Sequence, residues 1–224
     1  MELLSVNAGR AKAVEYTNAP SGETGIDKRP VAGPVRLDAP GPAGTASSGV
    51  AGDDVCDLRF HGGNDRAVYA FAREDLDHWE RALGRDLAPG SFGENLTTRG
   101  LDVNNALLGE RWRIGGQVVL EVTGGRIPCR TFAGFLDEAG WVRRFNESAA
   151  GPGAFCRVIV PGEVRAGDGI EIVHRPAHDI TVARLHHAAT TDRSLLPETL
   201  VAAEWMESGL LGLARTYADK YAKR

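Results

Sequence analysis

One cysteine lies between two arginines in the stretch Gly124–Arg130, which reads GGRIPCR and follows an apolar, strand-like run from Val118 to Val122. A neighbouring cation stabilises a thiolate, and a thiolate attacks electrophiles or binds soft metals. Cys129 is therefore the first candidate for chemistry. The alternative is that Cys129 packs in the core as a small hydrophobic residue, which is the usual fate of a single intracellular cysteine.

Two adjacent cations, Lys28 and Arg29, follow Gly25 in a polar segment. Lysine and arginine bind phosphate in different geometries that combine well, so the pair is a candidate anion site. The alternative interpretation is a solvated loop tip.

Two further glycine-rich segments could contact a ligand. In His61-Gly62-Gly63 the glycines would allow backbone N–H groups to approach a ligand closely. The alternative there is a hairpin turn in which the histidine only forms a hydrogen bond. Ser91 and Asn95 lie on a glycine-kinked loop that suits hydrogen bonding. A β-bulge, with Asn95 in a left-handed turn, is the alternative.

Short alternating segments separated by glycine turns predict a mainly β protein with some helices, of the α+β class. Leu76, Trp79 and Leu83 have helical spacing, which predicts a helix over 73–83 that ends at Gly84. After Pro176 the pattern becomes helical, so we place a domain boundary there and expect domains 1–177 and 178–224. The predicted tail has three helices: one starting near Val182, one over 197–206, and one from 210 to the end. Its terminal cations Lys220, Lys223 and Arg224 would complement the helix dipole.

Composition excludes several classes of protein. The 224 residues carry a net charge of −4 and no basic stripe, so nucleic acid is not an expected partner. No apolar run approaches membrane-spanning length, and the first residues lack the features of a signal peptide. Three cysteines without C-x-x-C spacing predict neither a disulfide scaffold nor a zinc site, and a reducing cytoplasm fits best.

Six motifs in the same order resemble the MOSC family, the domain named for the C-terminal part of molybdenum cofactor sulfurase. In chain order they are Gly25-Ile26-x-Lys28-Arg29-Pro30-Val31, Gly52-Asp53-x-x-x-Asp57, His61-Gly62-Gly63-x-Asp65-x-Ala67-Val68-Tyr69, Pro89-Gly90-Ser91-Phe92-Gly93-Glu94-Asn95-Leu96, Gly124-x-Arg126-x-Pro128-Cys129 and Pro161-Gly162-x-Val164-x-x-Gly167-Asp168. The helical tail is similar to the three-helix extension of the short bacterial members. The loop from Pro40 to Gly49 is longer than the family pattern, and Cys56 and Cys156 depart from it.

The resemblance implies a distorted, mostly antiparallel β-barrel that binds a Mo-pyranopterin cofactor, the molybdenum cofactor, with Cys129 as the metal ligand. Lys28 and Arg29 would then suit the cofactor phosphate, and Ser91 and Asn95 the pterin or the oxo ligands. The backbone of His61, Gly62 and Gly63 would approach the cofactor closely. Arg126 would lie beside the cofactor and favour the thiolate.

The resemblance also implies the two-electron reduction of N-hydroxylated compounds, such as hydroxylaminopurines, hydroxylamines or amidoximes. The chain has no flavin, haem or iron–sulfur motif, so a partner reductase, a flavin or iron–sulfur protein, would supply the electrons. The helical tail could serve a homodimer. Two alternatives stay open: a sulfur carrier or C–S bond enzyme with a persulfide on Cys129, and a non-catalytic module that binds the cofactor.

Overall fold

The computed structural model describes residues 1–222; Lys223 and Arg224, the cations expected at the end of the last helix, lie outside the described residues. Over these residues the strands are β1 (Glu2–Ala8), β2 (Lys12–Ala13), β3 (Glu23–Thr24), β4 (Arg29–Pro30), β5 (Val35–Leu37), β6 (Val68–Ala72), β7 (Leu96–Arg99), β8 (Arg111–Ile114), β9 (Val118–Gly124), β10 (Ala154–Val160), β11 (Gly162–Val164) and β12 (Ile170–His174). The α-helices are α1 (Arg73–Leu83), α2 (Arg130–Leu136), α3 (Trp141–Glu147), α4 (Val182–Thr190) and α5 (Ser208–Ala222), and 3-10 helices cover Asn64–Arg66 and Arg193–Ala202.

The main sheet has eight strands in the order β12-β8-β9-β10-β6-β7-β1-β4 and curls into a half-barrel. The predicted α+β class is confirmed. The sheet is nevertheless mixed, because β6 and β7 pair in parallel while the other neighbours pair antiparallel. The cause is helix α1, which carries the chain across from β6 to β7, and a crossover of this kind produces parallel strands.

Helix α1 forms where its apolar spacing predicts it. Leu76 and Trp79 are buried on its inner face. Gly84 ends the helix in the left-handed conformation with φ 67°, and its N–H donates to the carbonyl of Glu80. Glycine adopts this conformation without the steric cost that a side chain brings, so the chain can turn sharply toward β7.

A cluster of aromatic side chains packs between α1, α2, α3 and the loop before β7. It consists of Trp79, Phe92, Phe132, Trp141 and Phe145, all almost completely buried. Phe132 contacts both Phe92 and Trp141 edge to face, with ring centroids 5.3 and 5.2 Å apart. Such contacts stabilise beyond the area they bury. This aromatic cluster fixes the position of α2, and therefore of Cys129, which directly precedes that helix.

The C-terminal segment packs on the sheet, and Leu185, Leu196 and Leu210 belong to the same hydrophobic core as the strands. The helix expected over 197–206 is present with another type and other bounds: it is a 3-10 helix over Arg193–Ala202, and residues 203–206 form turns and a bend. Pro197 lies inside the 3-10 helix and has no N–H to donate to an α-helical ladder. The domain boundary near Pro176 stays a prediction. None of the helices over residues 1–222 has the length and apolar character that crossing a membrane requires.

Candidate functional site

A cavity of about 430 Å³ opens at one end of the sheet. Its walls come from segments that are far apart in the sequence, including the loops around residues 17–28, 53–62 and 126–131. The candidate residues that line it are Lys28, His61, Gly62, Asn95, Arg126 and Cys129. The fold thus brings together six of the nine residues that the sequence analysis selected.

Cys129 is half-buried in the cavity wall, in extended backbone with φ −118° and ψ 172° directly before α2. Its carbonyl accepts the N–H of Ala133 at 3.0 Å, which fixes the backbone at the helix start. Cys156 provides a contrast within the same chain. It is completely buried in β10, and burial raises the pKa of its thiol. Cys156 is therefore fully packed in the core, whereas Cys129 packs against the aromatic cluster and also borders the cavity.

The side chain of Arg126 lines the same cavity. Its guanidinium lies over the ring of Phe132, 4.3 Å from the centroid, and 5.3 Å from the centroid of Tyr69. Its Nη1 donates to the carbonyl of Phe92 at 3.1 Å. Over residues 1–222 no carboxylate lies within ion-pairing distance of Arg126, and the ion pairs around the cavity involve Lys28 and Arg66 instead. Its positive charge is thus available to an anion in the cavity.

Lys28 and Arg29, the pair expected to bind an anion, lie in different surroundings, and of the two only Lys28 lines the cavity. Lys28 is buried and forms an ion pair with Asp53. Burial lowers the pKa of Lys28 and outweighs the opposing effect of Asp53. Arg29 points away, is 70% exposed and pairs with Asp27 at 2.7 Å. Successive side chains of extended backbone point to opposite sides, which separates the two cations.

Asn95 lines the cavity, but its carboxamide is committed to the protein. Its Oδ1 accepts the N–H of Tyr69 at 3.1 Å, and its Nδ2 donates to Asp53 at 2.9 Å and to the carbonyl of Asn7 at 3.3 Å. Asn95 therefore orients Asp53, the partner of Lys28, and the described contacts leave its amide little capacity for a pterin.

Ser91 lies outside the cavity wall, in a turn that Glu94 organises. The fully buried carboxylate of Glu94 accepts the N–H groups of Gly90 at 2.6 Å and Phe92 at 3.0 Å, and the hydroxyl of Thr97 at 2.9 Å. Glu94 shapes the loop, and the expectation that Ser91 contacts the cofactor is not supported by its position.

His61 lines the cavity. Burial, together with the nearby charges of Arg126 and Arg66, lowers its pKa to about 4. The ring is therefore neutral at pH 7 and offers one N–H donor and one nitrogen acceptor. Over residues 1–222 no protein hydrogen bond uses this ring, and only the backbone N–H of His61 is bonded, to the carbonyl of Asp57.

The two glycines after His61 have a different role from the one expected. Both have positive φ, 77° and 80°. A Cβ on Gly62 would lie 2.5 Å from the carbonyl oxygen of Ala46, and one on Gly63 would lie 2.6 Å from Cα of Ala43. The close approach is thus made by the chain's own loop from Pro40 to Gly49. That loop braces the turn that carries His61.

Several residues that line the cavity were not selected from the sequence, among them Arg66, Asp53 and Cys56. Arg66 forms an ion pair with Glu207 and lies over the ring of Phe155. These contacts join positions that are distant along the chain, so no local sequence pattern predicts them. Within residues 1–222 no three histidine, cysteine or acidic side chains are grouped so that they could hold a metal ion.

Comparison with protein families identifies the family of this chain. The MOSC domain model matches residues 57–171, which include His61, Arg126 and Cys129. The chain therefore belongs to the MOSC domain family.

Individual relatives make the assignment more specific. The chain is 31% identical over 213 residues to the Bacillus subtilis protein named uncharacterized protein YflK, covering 92% of this chain and 91% of that one. It is 32% identical over 165 residues to a protein named reductase from Gibberella moniliformis, covering 70% of this chain but 29% of that protein. The crystal structure of YiiM from Geobacillus stearothermophilus has the same fold, with a TM-score of 0.76 and 23% identity over 97% of this chain and 98% of that one.

Proposed function

We propose that this protein is a molybdenum-cofactor-dependent oxidoreductase that reduces N-hydroxylated compounds, with Cys129 as the protein ligand of the metal. The observation that carries the proposal is that one cavity of about 430 Å³ is lined both by the half-buried Cys129 and by Arg126, whose guanidinium has no carboxylate partner among residues 1–222. Membership of the MOSC family and a relative named reductase support the same class of activity.

The chemistry of the cavity fits a Mo-pyranopterin. Thiolate is a preferred ligand of soft metals, and the cofactor's phosphate is an anion that Arg126 could bind. Gly93 has φ 71°, and a Cβ there would lie 3.2 Å from Nη1 of Arg126 and 3.1 Å from Cγ1 of Ile26. The absence of a side chain at Gly93 thus makes room for the guanidinium in the cavity wall.

The net reaction is R–NH–OH + 2 e⁻ + 2 H⁺ → R–NH₂ + H₂O. The N–O bond breaks, and its oxygen leaves as water. The cofactor, when bound, supplies the two-electron redox centre. The chain contains no flavin, haem or iron–sulfur motif, so the electrons would come from a separate reductase.

The chain's own residues would bind and orient the reactants. Arg126 presents its remaining N–H groups to an anion, because Nη1 alone is bonded to a carbonyl. Neutral His61 can donate one hydrogen bond and accept another from a polar N–OH group. The aromatic cluster behind Arg126 excludes water from that side of the cavity, which strengthens these electrostatic contacts.

The test is a molybdenum assay on protein expressed in a host that makes the cofactor. Wild type should carry the metal, Cys129→Ala should lose it, and Cys56→Ala should keep it, because Cys56 lines the same cavity without an adjacent arginine. The same preparations are assayed for reduction of an amidoxime with reduced viologen as the electron donor.

Each alternative has its own outcome. Wild type without molybdenum but with cyanide-labile sulfur on Cys129 would establish the sulfur-carrier reading and overturn the proposal. If wild type binds molybdenum but reduces no N-hydroxylated compound, the protein is a non-catalytic module that binds the cofactor. Metal content that does not change in Cys129→Ala would remove Cys129 as the ligand.

A further inference from the structure

Two large apolar side chains lie exposed at the mouth of the cavity. Phe60 is 59% exposed and Ile127 is 44% exposed, and both also line the cavity that contains Cys129. We call these two residues the apolar rim. The cofactor would occupy the part of the cavity near Cys129, so a substrate that enters from solvent would meet these exposed apolar side chains of the cavity wall.

Phe60 is held in place although its ring is exposed. Its N–H donates to the carbonyl of Asp57 at 3.3 Å, and its own carbonyl accepts from the guanidinium of Arg66. The guanidinium of Arg59 lies over the ring, 5.3 Å from its centroid, and is itself bonded to Asp57 at 2.8 Å. A ring that is already ordered loses little conformational entropy when a ligand packs on it.

Ile127 belongs to the same short segment as the proposed metal ligand. The backbone at Cys129 is extended, and Pro128 between the two residues is buried. Both Ile127 and Cys129 line the cavity, and Ile127 is the more exposed of the two. Ile127 therefore lies within two residues of the proposed metal ligand and in contact with solvent.

The rim is apolar, whereas the interior holds the polar groups Arg126 and His61. This distribution suits a ligand with a flat apolar body and one polar end. We infer that Phe60 and Ile127 are specificity-determining residues that favour aromatic N-hydroxylated substrates over small aliphatic hydroxylamines. The inference rests on the proposed function. Its new content is that Phe60 and Ile127, which take no part in the reaction itself, select the substrate.

The experiment uses the molybdenum-loaded protein, with reduced methyl viologen as electron donor so that no partner protein is required. The kcat/KM values for benzamidoxime and N-methylhydroxylamine are measured for wild type, Phe60→Ala and Ile127→Ala. The control is Val201→Ala, which removes a 63% exposed side chain that does not line the cavity. The Kd of benzamidoxime is measured in parallel by calorimetry.

Phe60→Ala should lower kcat/KM for benzamidoxime about tenfold, as expected for the loss of one aromatic contact. N-methylhydroxylamine should change less than about twofold, since it is too small to reach both rim residues. Ile127→Ala should show the same pattern to a smaller extent, and Val201→Ala should match wild type.

Three results would overturn the inference. One is an equal loss for both substrates in Phe60→Ala; another is a benzamidoxime Kd that is the same in wild type and Phe60→Ala. The third is a Phe60→Ala defect that appears only when a reductase protein replaces viologen, which would make the rim a contact for the electron donor. Failure of the proposed function is separate: wild type would bind benzamidoxime in a Phe60-dependent manner yet reduce neither compound.

Discussion

Nη2 of Arg66 lies 2.9 Å from Oε1 of Glu207, and this ion pair joins the wall of the cavity to the start of the last helix. Only 4% of the Glu207 side chain is exposed, and its carboxylate also accepts the N–H groups of Gly209 at 2.9 Å and Leu210 at 2.8 Å. Arg66 in turn holds the carbonyl of Phe60. The C-terminal segment therefore helps to shape the mouth of the cavity.

Glu207→Gln should destabilise the protein by about 1–3 kcal/mol, because it removes one charge of a pair that is largely shielded from water. The two N–H groups at the start of α5 bond to different oxygens of Glu207, so the single oxygen of the amide can keep only one of these bonds, and the loss of the other contributes to the effect. Chemical denaturation measures the change. Glu204→Gln, on an exposed neighbouring side chain, is the control and should stay within about 0.5 kcal/mol of wild type. Equal stability of the two variants would contradict a role for the ion pair.

The buried pair of Lys28 and Asp53 should show strong coupling. Lys28→Met leaves the carboxylate of Asp53 uncompensated, which should cost about 3–5 kcal/mol. Asp53→Asn should cost a similar amount, since it strands the ammonium group. In the double variant both charges are absent, so we expect the free energy of unfolding to recover by at least about 1 kcal/mol relative to the sum of the single effects. A double-mutant cycle measures this, and strictly additive losses would refute the coupling.

Gly93→Ala should weaken cofactor binding, whereas Gly22→Ala should not. Both glycines have nearly the same positive φ, 71° and 69°, so both substitutions carry the same backbone strain of about 1 kcal/mol. Nothing lies within 4 Å of a Cβ on Gly22, whereas a Cβ on Gly93 would press on Nη1 of Arg126. The melting temperature of both variants reports the backbone strain, and the molybdenum content reports the crowding of Arg126. Identical molybdenum content in the two variants would show that Arg126 can move without weakening cofactor binding.

Because His186 is buried, the free energy of unfolding of the protein should decrease in mild acid. The residue is 6% exposed, its ring lies edge-on to Phe145 at 6.3 Å, and over residues 1–222 neither ring nitrogen has a hydrogen-bond partner. Burial lowers its pKa from 6.5 to about 4, with a smaller contribution from His187. The folded state thus disfavours the protonated ring. The associated stability is present above pH 6.5 and is lost as the pH falls toward 4.

His186→Leu should reduce the difference in unfolding free energy between pH 7 and pH 4 by about 2–3 kcal/mol. Urea denaturation at several pH values measures the effect. His187→Leu, on an exposed side chain of the same helix, should leave most of the pH dependence intact. His61 carries a similar shift, so part of the acid sensitivity should persist in His186→Leu. An unchanged pH profile in that variant would show that the buried ring does not titrate as described.

Local patterns predicted the elements whose stability depends on nearby residues. The spacing of Leu76, Trp79 and Leu83 identified α1, and Gly84 marked its end. The pattern after Pro197 indicated a helix but not that it is a 3-10 helix, because an α-helix and a 3-10 helix share much of their apolar spacing and differ in hydrogen bonding.

The sequence by itself determined the family, the α+β class and the choice of Cys129 as the central residue, because each depends on residue type and order. The tertiary structure decided which of the other candidates reach the cavity. It placed Arg29 away from Lys28 and bonded the amide of Asn95 to Asp53. It also positioned Arg66 in the cavity wall, where an ion pair with Glu207 holds it. The physical reason is that a buried charge or amide takes its partner from whatever the fold places beside it. Those partners lie tens of residues away and leave no local pattern.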